Sequence, residues 1–75
     1  MNRFAMILKV DINPADAAAI AAALNGVGPA KAEAIVAYRT EHGPFKSIDQ
    51  LVEVRGIGLA TVDKNRELIV LGGAK

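Results

Sequence analysis

The sequence predicts an all-α fold, a compact single domain of four to five short helices. Three observations carry that expectation. The run Ala15 to Leu24 is nearly all alanine, the residue with the best helix propensity. Apolar residues further on recur at helical spacing. Most informative, the stop-and-restart Gly26-Val27-Gly28 returns as Gly56-Ile57-Gly58, thirty residues later (56 − 26 = 30). Helix, Gly-hydrophobic-Gly, helix therefore occurs twice, and a doubled supersecondary unit predicts a pseudo-twofold pair sharing one core.

Asn13-Pro14-Ala15-Asp16 predicts the first helix start. Asn13 is the expected cap, Pro14 suits the first helical position, and Asp16 sits in the positive first turn. Ile20 and Leu24 lie one turn apart on this helix, and Asn25-Gly26 stops it, with glycine suited to a left-handed C-terminal position. Gly28 and Pro29 open a second helix running to about Glu41, with Ala32, Ile35, Val36 and Tyr38 at helical spacing. His42-Gly43-Pro44 closes it, a glycine cap followed by a proline that cannot continue. Phe45 is expected as a buried anchor in the connection. Ser47-Ile48-Asp49-Gln50 matches the S-x-x-Q capping box and starts a short third helix over roughly Ile48 to Val54. A fourth helix follows Gly58, from Leu59 to about Glu67. The apolar ends, Ile7 to Val10 and Leu68 to Leu71, are expected to pack extended beside each other. These elements divide the chain into an N-terminal extension (1–9), the domain (10–71) and a tail (72–75).

The chain has 75 residues and no cysteine. That length is near the lower limit at which one core supports a fold, and it leaves little room for an enzyme with a buried active site. Disulfides and Cys-based metal sites are excluded. His42 is the only histidine, which argues against a His-rich metal site or a Ser-His-Asp triad; beside Gly43-Pro44 it reads as a helix-end residue near the carbonyl dipole. No segment is long and apolar enough to span a membrane, and the stretch from Met1 to Val10 is too short for a secretory core. The formal net charge is +1, so nucleic-acid binding is not advertised by bulk charge. Any such contact rests on local arrangement. Three aromatic residues, Phe4, Tyr38 and Phe45, are too few for single-strand stacking platforms.

The local arrangement is the pair of hairpins. A helix N-terminus exposes unsatisfied N–H groups and about half a positive charge, which suits a phosphate. Glycine permits the sharp turn and lets a phosphate oxygen approach the backbone. The central Val27 and Ile57 are expected to point into the core. Lys31, in the first turn after the first hairpin, is placed to reinforce the same phosphate. The matching position in the second unit is Thr61 (31 + 30 = 61), a hydroxyl without charge, with Arg55 and Lys64 as compensating cations. The candidate DNA-binding set is thus Gly26, Val27, Gly28, Ala30, Lys31, Arg55, Gly56, Gly58, Thr61 and Lys64, two hairpins gripping phosphates on the two strands across a minor groove. Such contacts position a protein without reading bases. Lys46, Lys64 and Arg66 are expected on the solvated face more than as specific contacts.

The segment Leu24-Asn25-Gly26-Val27-Gly28-Pro29-Ala30-Lys31-Ala32 resembles the helix-hairpin-helix motif. The ordered set Val10-Asp11-Ile12-Asn13, Gly26-Val27-Gly28, Ala37-Tyr38-Arg39, Gly43-Pro44-Phe45-Lys46-Ser47, Leu51 and Gly56-Ile57-Gly58 is similar to the DNA-binding domain of ComEA competence proteins, over about Val10 to Leu71. The resemblance implies a double helix-hairpin-helix (SAM-like) domain that binds double-stranded DNA without sequence preference, in DNA uptake during natural transformation, outside the cytoplasmic membrane. It implies contacts through the backbones of Gly26, Gly28, Gly56 and Gly58 and the side chain of Lys31. Ala30 stands where family members often carry a basic residue, and Asn65 where the helix usually presents an aliphatic one. The second hairpin is accordingly expected to be the weaker partner in packing and binding. DNA glycosylases carry similar hairpins with a lysine nucleophile where this chain has Ala30, so no enzymatic activity is expected. The alternative is a protein–protein interaction module of the same fold, to which the near-zero charge lends support. Double-stranded DNA is the expected partner, with no small-molecule substrate and a monomeric chain. No cofactor is expected, a monovalent cation at a hairpin being the one candidate.

Overall fold

The computed structural model describes residues 9–72. The order is β1 (Val10–Asp11), α1 (Ala17–Ala23), α2 (Pro29–His42), a 3₁₀ helix (Ile48–Glu53), α3 (Leu59–Asn65), a second 3₁₀ turn (Arg66–Leu68) and β2 (Ile69–Val70). The fold is mostly helical, as expected, with one small closure: β1 pairs parallel with β2 in the register Val10 to Ile69 and Asp11 to Val70. The extended packing of the two ends is thereby found over these residues, while Ile7 and Leu8 lie outside the described residues.

The first helix starts later than expected and with a different cap. Asp16 is the N-cap of α1, its carboxylate accepting from the Ala19 N–H at 2.9 Å. Asn13 does not cap because its side-chain amide is engaged elsewhere. Its Oδ1 accepts from the Phe45 N–H at 2.7 Å, and its Nδ2 donates to the carbonyls of Phe45 and Gly72 at 3.1 Å each. Asn13 and Pro14 instead form a turn, closed by the Ala15 N–H donating to the Asp11 carbonyl. Arg39 in α2 donates to the Ile12 carbonyl at 2.7 Å. The residues Ile12-Asn13, Arg39 and Phe45 are thus one interlocked joint between the start of the chain, α2 and the loop after it.

α2 runs from Pro29 to His42, with Gly43 as its C-cap at φ 93°. Ala32 and Ile35 are buried, whereas Val36 and Tyr38 are only partly so. Phe45 is fully buried, and Tyr38 stacks on it with ring centroids 5.2 Å apart. The third helix is 3₁₀ rather than α. Ser47 caps it by accepting from the Gln50 N–H, but the Gln50 side chain returns to the Lys46 N–H, one residue before the position a capping box uses.

α1 packs on α2 and the 3₁₀ helix on α3, so each half contributes a pair of elements joined by a hairpin. Between them lies one core, in which Ile12, Ile20, Ile35, Phe45, Leu51 and Val62 are almost wholly withdrawn from solvent. Val27 and Ile57, the central hairpin residues, are buried at its edge as expected, with relative exposures of 4% and 5%.

Candidate nucleic-acid interface

The two hairpins have the same backbone. Leu24 and Val54 leave their helices with φ, ψ of −99°, 137° and −80°, 133°. Gly26 and Gly56 follow at φ 79° and 88°, a left-handed conformation that only glycine adopts without strain. Gly28 and Gly58 then open α2 and α3 at φ, ψ of −84°, −174° and −101°, 173°. The Ala32 N–H donates to the Gly28 carbonyl at 2.9 Å, and the Val62 N–H to the Gly58 carbonyl at 3.1 Å. In main-chain geometry, then, neither hairpin is the weaker copy.

The second glycine of each pair is not explained by the protein itself. The extended angles at Gly28 and Gly58 suit any residue, and a Cβ at either would meet no atom within 4 Å. Both act as N-caps without a side chain to bond the first-turn N–H groups. The other two long elements differ: α1 is capped by Asp16 and the 3₁₀ helix by Ser47. Serine or aspartate would stabilise α2 and α3 better than glycine. The helix starts at the hairpins are therefore left bare, with open space above them.

The other candidate residues distribute around this surface. Ala30, Lys31, Arg55 and Lys64 are exposed, whereas Thr61 is half-buried and helps line a void of about 10 Å³ with Leu24, Val27 and Asn65. The Lys31 stem reaches the second hairpin. Its Cγ and Cε lie 3.6 and 3.7 Å from where a Cβ of Gly56 would stand, on the second hairpin. Reciprocally, Lys64 Nζ lies 3.7 Å from the corresponding point on Gly26, in the first. The sequence register that aligned Lys31 with Thr61 carries no information about this crossing.

Asn65, expected to weaken the second unit, does the opposite. It is 1% exposed and fully bonded. Its Oδ1 accepts from the Asn25 N–H at 2.8 Å, and its Nδ2 donates to the Asn25 and Thr61 carbonyls at 2.9 and 2.8 Å. An aliphatic residue there would leave the main chain of the first hairpin unpaired. The resemblance marked Asn65 as a polar residue at a usually aliphatic position, but gave no partner for it.

Two other cations are committed to protein groups. Arg39 holds the Ile12 carbonyl, and Arg66 bonds Asp49 and, at 2.9 Å, Asp63. These bonds, that to Asp49 foremost, hold the Arg66 guanidinium still further above its ordinary pKa. His42 ends α2 as expected, its ring 4.3 Å from that of Tyr38. Among the described residues no helix is long and apolar enough to cross a membrane.

Comparison with known proteins places these features in context. A family model described as "Helix-hairpin-helix motif" matches residues 6–70. An uncharacterized protein of Haemophilus influenzae is 53% identical over 62 residues, which are 83% of this chain and 55% of that protein. ComE operon protein 1 of Bacillus subtilis is 46% identical over 48 residues, 64% of this chain and 23% of that protein. Endonuclease/exonuclease/phosphatase family domain-containing protein 1 of Rattus norvegicus is 39% identical over 61 residues, 81% of this chain and 10% of that protein. The chain thus spans little more than half of the first relative and far less of the others.

Proposed function

The chain belongs to the helix-hairpin-helix family, and from that premise we propose that it binds double-stranded DNA without sequence preference, through the bare backbone amides of its two hairpins. The observation that carries this reading is the pair of glycine N-caps. Gly28 and Gly58 are glycines that neither backbone angle nor packing requires. Their value lies in what they leave accessible, first-turn N–H groups and the positive end of a helix, both suited to a phosphate oxygen. Gly26 and Gly56 shape the turns, while Val27 and Ile57 anchor them. Ala30 keeps the approach to the first hairpin small, and Lys31, Arg55 and Lys64 supply charge. Thr61 serves the fold at this surface.

The role is binding without catalysis, as a monomer. Ala30 occupies the position at which glycosylase hairpins carry a nucleophilic lysine. The biological setting we infer is DNA uptake in natural transformation, which the resemblance to ComEA proteins implies and the likeness to ComE operon protein 1 supports.

Fluorescence anisotropy with a labelled duplex, from low to moderate salt, tests the reading. About two to four neutralised phosphates give a log–log salt slope of about −2 to −4. Duplexes of unrelated sequence should bind alike, because backbone contacts carry no base information. Absence of binding at low salt, or binding indifferent to salt, overturns the proposal in favour of a protein-interaction module.

A further inference from the structure

We infer that the first hairpin's phosphate site is completed from the other half of the chain, with Lys64 of α3 supplying its cation rather than Lys31 of α2. The inference rests on the DNA-binding reading above and deepens it. Its first support is the position of the ammonium: Lys64 Nζ stands 3.7 Å from where a Cβ of Gly26 would be, over the left-handed turn that leads into α2. The second support is what holds Lys64 in place. The next residue, Asn65, clamps both the N–H and the carbonyl of Asn25, the residue just before Gly26. α3 is thereby registered against the first hairpin by two main-chain bonds, and Lys64 is carried across with it. Third, Lys64 is exposed and has no ion-pair partner among the described residues, whereas Arg66, two residues on, is held by Asp49 and Asp63. The Lys31 stem, meanwhile, lies along Gly56 of the second hairpin.

Crossing has a physical consequence. Side chains in the first turn of a helix lean toward its N-terminus, but the Lys31 stem lies along Gly56. Lys64, arriving from α3, adds an ammonium beside Gly26 to the backbone N–H groups that the first hairpin offers an anion. The two halves of the chain then form a single composite surface, and neither hairpin with its own helix retains its full affinity.

A double-mutant cycle in the intact chain, read by duplex anisotropy as a function of salt, tests this. Lys64→Met keeps the apolar stem and removes the charge. Gly28→Val blocks the first hairpin and Gly58→Val the second, each where a Cβ meets nothing in the protein; Gly28→Glu, which repels phosphate at the same spot, provides a second blocked background should valine disturb the turn. In the wild-type chain Lys64→Met is expected to weaken binding about three- to tenfold at 0.1 M salt and to reduce the salt slope by about one. In the Gly28→Val background that effect should largely vanish, because the phosphate it serves is already lost. In Gly58→Val it should persist. A Lys64→Met effect that is absent in the wild type, or undiminished when the first hairpin is blocked, overturns the inference while leaving DNA binding intact. A wild-type chain that does not bind duplex overturns both.

Discussion

Gly26 and Gly28 lie two residues apart yet answer to different constraints, and the same is true of Gly56 and Gly58. The first of each pair holds a left-handed φ, 79° and 88°, where a side chain costs about 1–2 kcal/mol. The second holds extended angles and faces open space. This separation yields a prediction in which stability and binding move in opposite directions. Serine at position 28 supplies the missing cap, worth a few tenths of a kcal/mol over glycine, and occupies the N–H groups a phosphate would use. Gly28→Ser should therefore melt no lower than the wild type while binding duplex DNA about tenfold more weakly, the equivalent of one lost charge-assisted hydrogen bond. Thermal melting and anisotropy on the same samples decide it. Unchanged affinity would remove the hairpin amides from the contact surface.

At the scale of elements, the helices that build the scaffold are capped by their own side chains, and those that face the proposed ligand are not. α1 begins at Asp16 and the 3₁₀ helix at Ser47, each with a side-chain oxygen on a first-turn N–H. Asn13, three residues before Asp16, has the composition of a cap but serves as a tertiary clamp on Phe45 and Gly72. The two roles separate by size of effect. Asp16→Ala removes a cap and should cost about 1 kcal/mol. Asn13→Ala strands the Phe45 N–H and two carbonyls in a partly buried joint and should cost about 2 kcal/mol or more. Urea denaturation of the two variants measures both. A larger loss from Asp16→Ala would show that the joint contributes less than its hydrogen bonds imply.

For the whole molecule, the question is what makes two small units one domain. Each alone is far too short to bury a stable core. The shared apolar interior joins them, along with the β1–β2 pair and the Asn65 clamp on Asn25. Asn65→Ala opens a cavity and leaves the Asn25 N–H and carbonyl without their partner, so it should cost about 2–4 kcal/mol. In a domain of this size that is a large share of the total, and urea denaturation should register it as a loss across the whole cooperative transition. A loss below about 0.5 kcal/mol would mean that the interior alone joins the halves. The charge distribution belongs to this scale too. With a formal net charge of +1, the molecule has no global field to steer DNA. What the fold does is tie up Arg39 and Arg66 in bonds to the protein and leave Lys31, Arg55 and Lys64 exposed around the hairpins.

The sequence by itself determined the all-α class, the two hairpins in register, the burial of Val27, Ile57 and Phe45, and the ends of α2. These follow from forces that act within a few residues: the left-handed freedom of glycine, the fixed φ of proline, the spacing of apolar side chains and a serine placed to cap. Tertiary structure alone decided which cap starts α1, why Asn65 is polar and which hairpin each lysine overlies. Asn13 meets a partner 32 residues away and Asn65 one 40 residues away, and Lys64 and Gly26 are 38 apart (64 − 26 = 38). An amide or an ammonium at such a position carries no local mark of its partner, because the partner is chosen by how the two halves pack. The doubled hairpin was legible as a repeat; that Lys31 lies along Gly56 and Lys64 beside Gly26 was not.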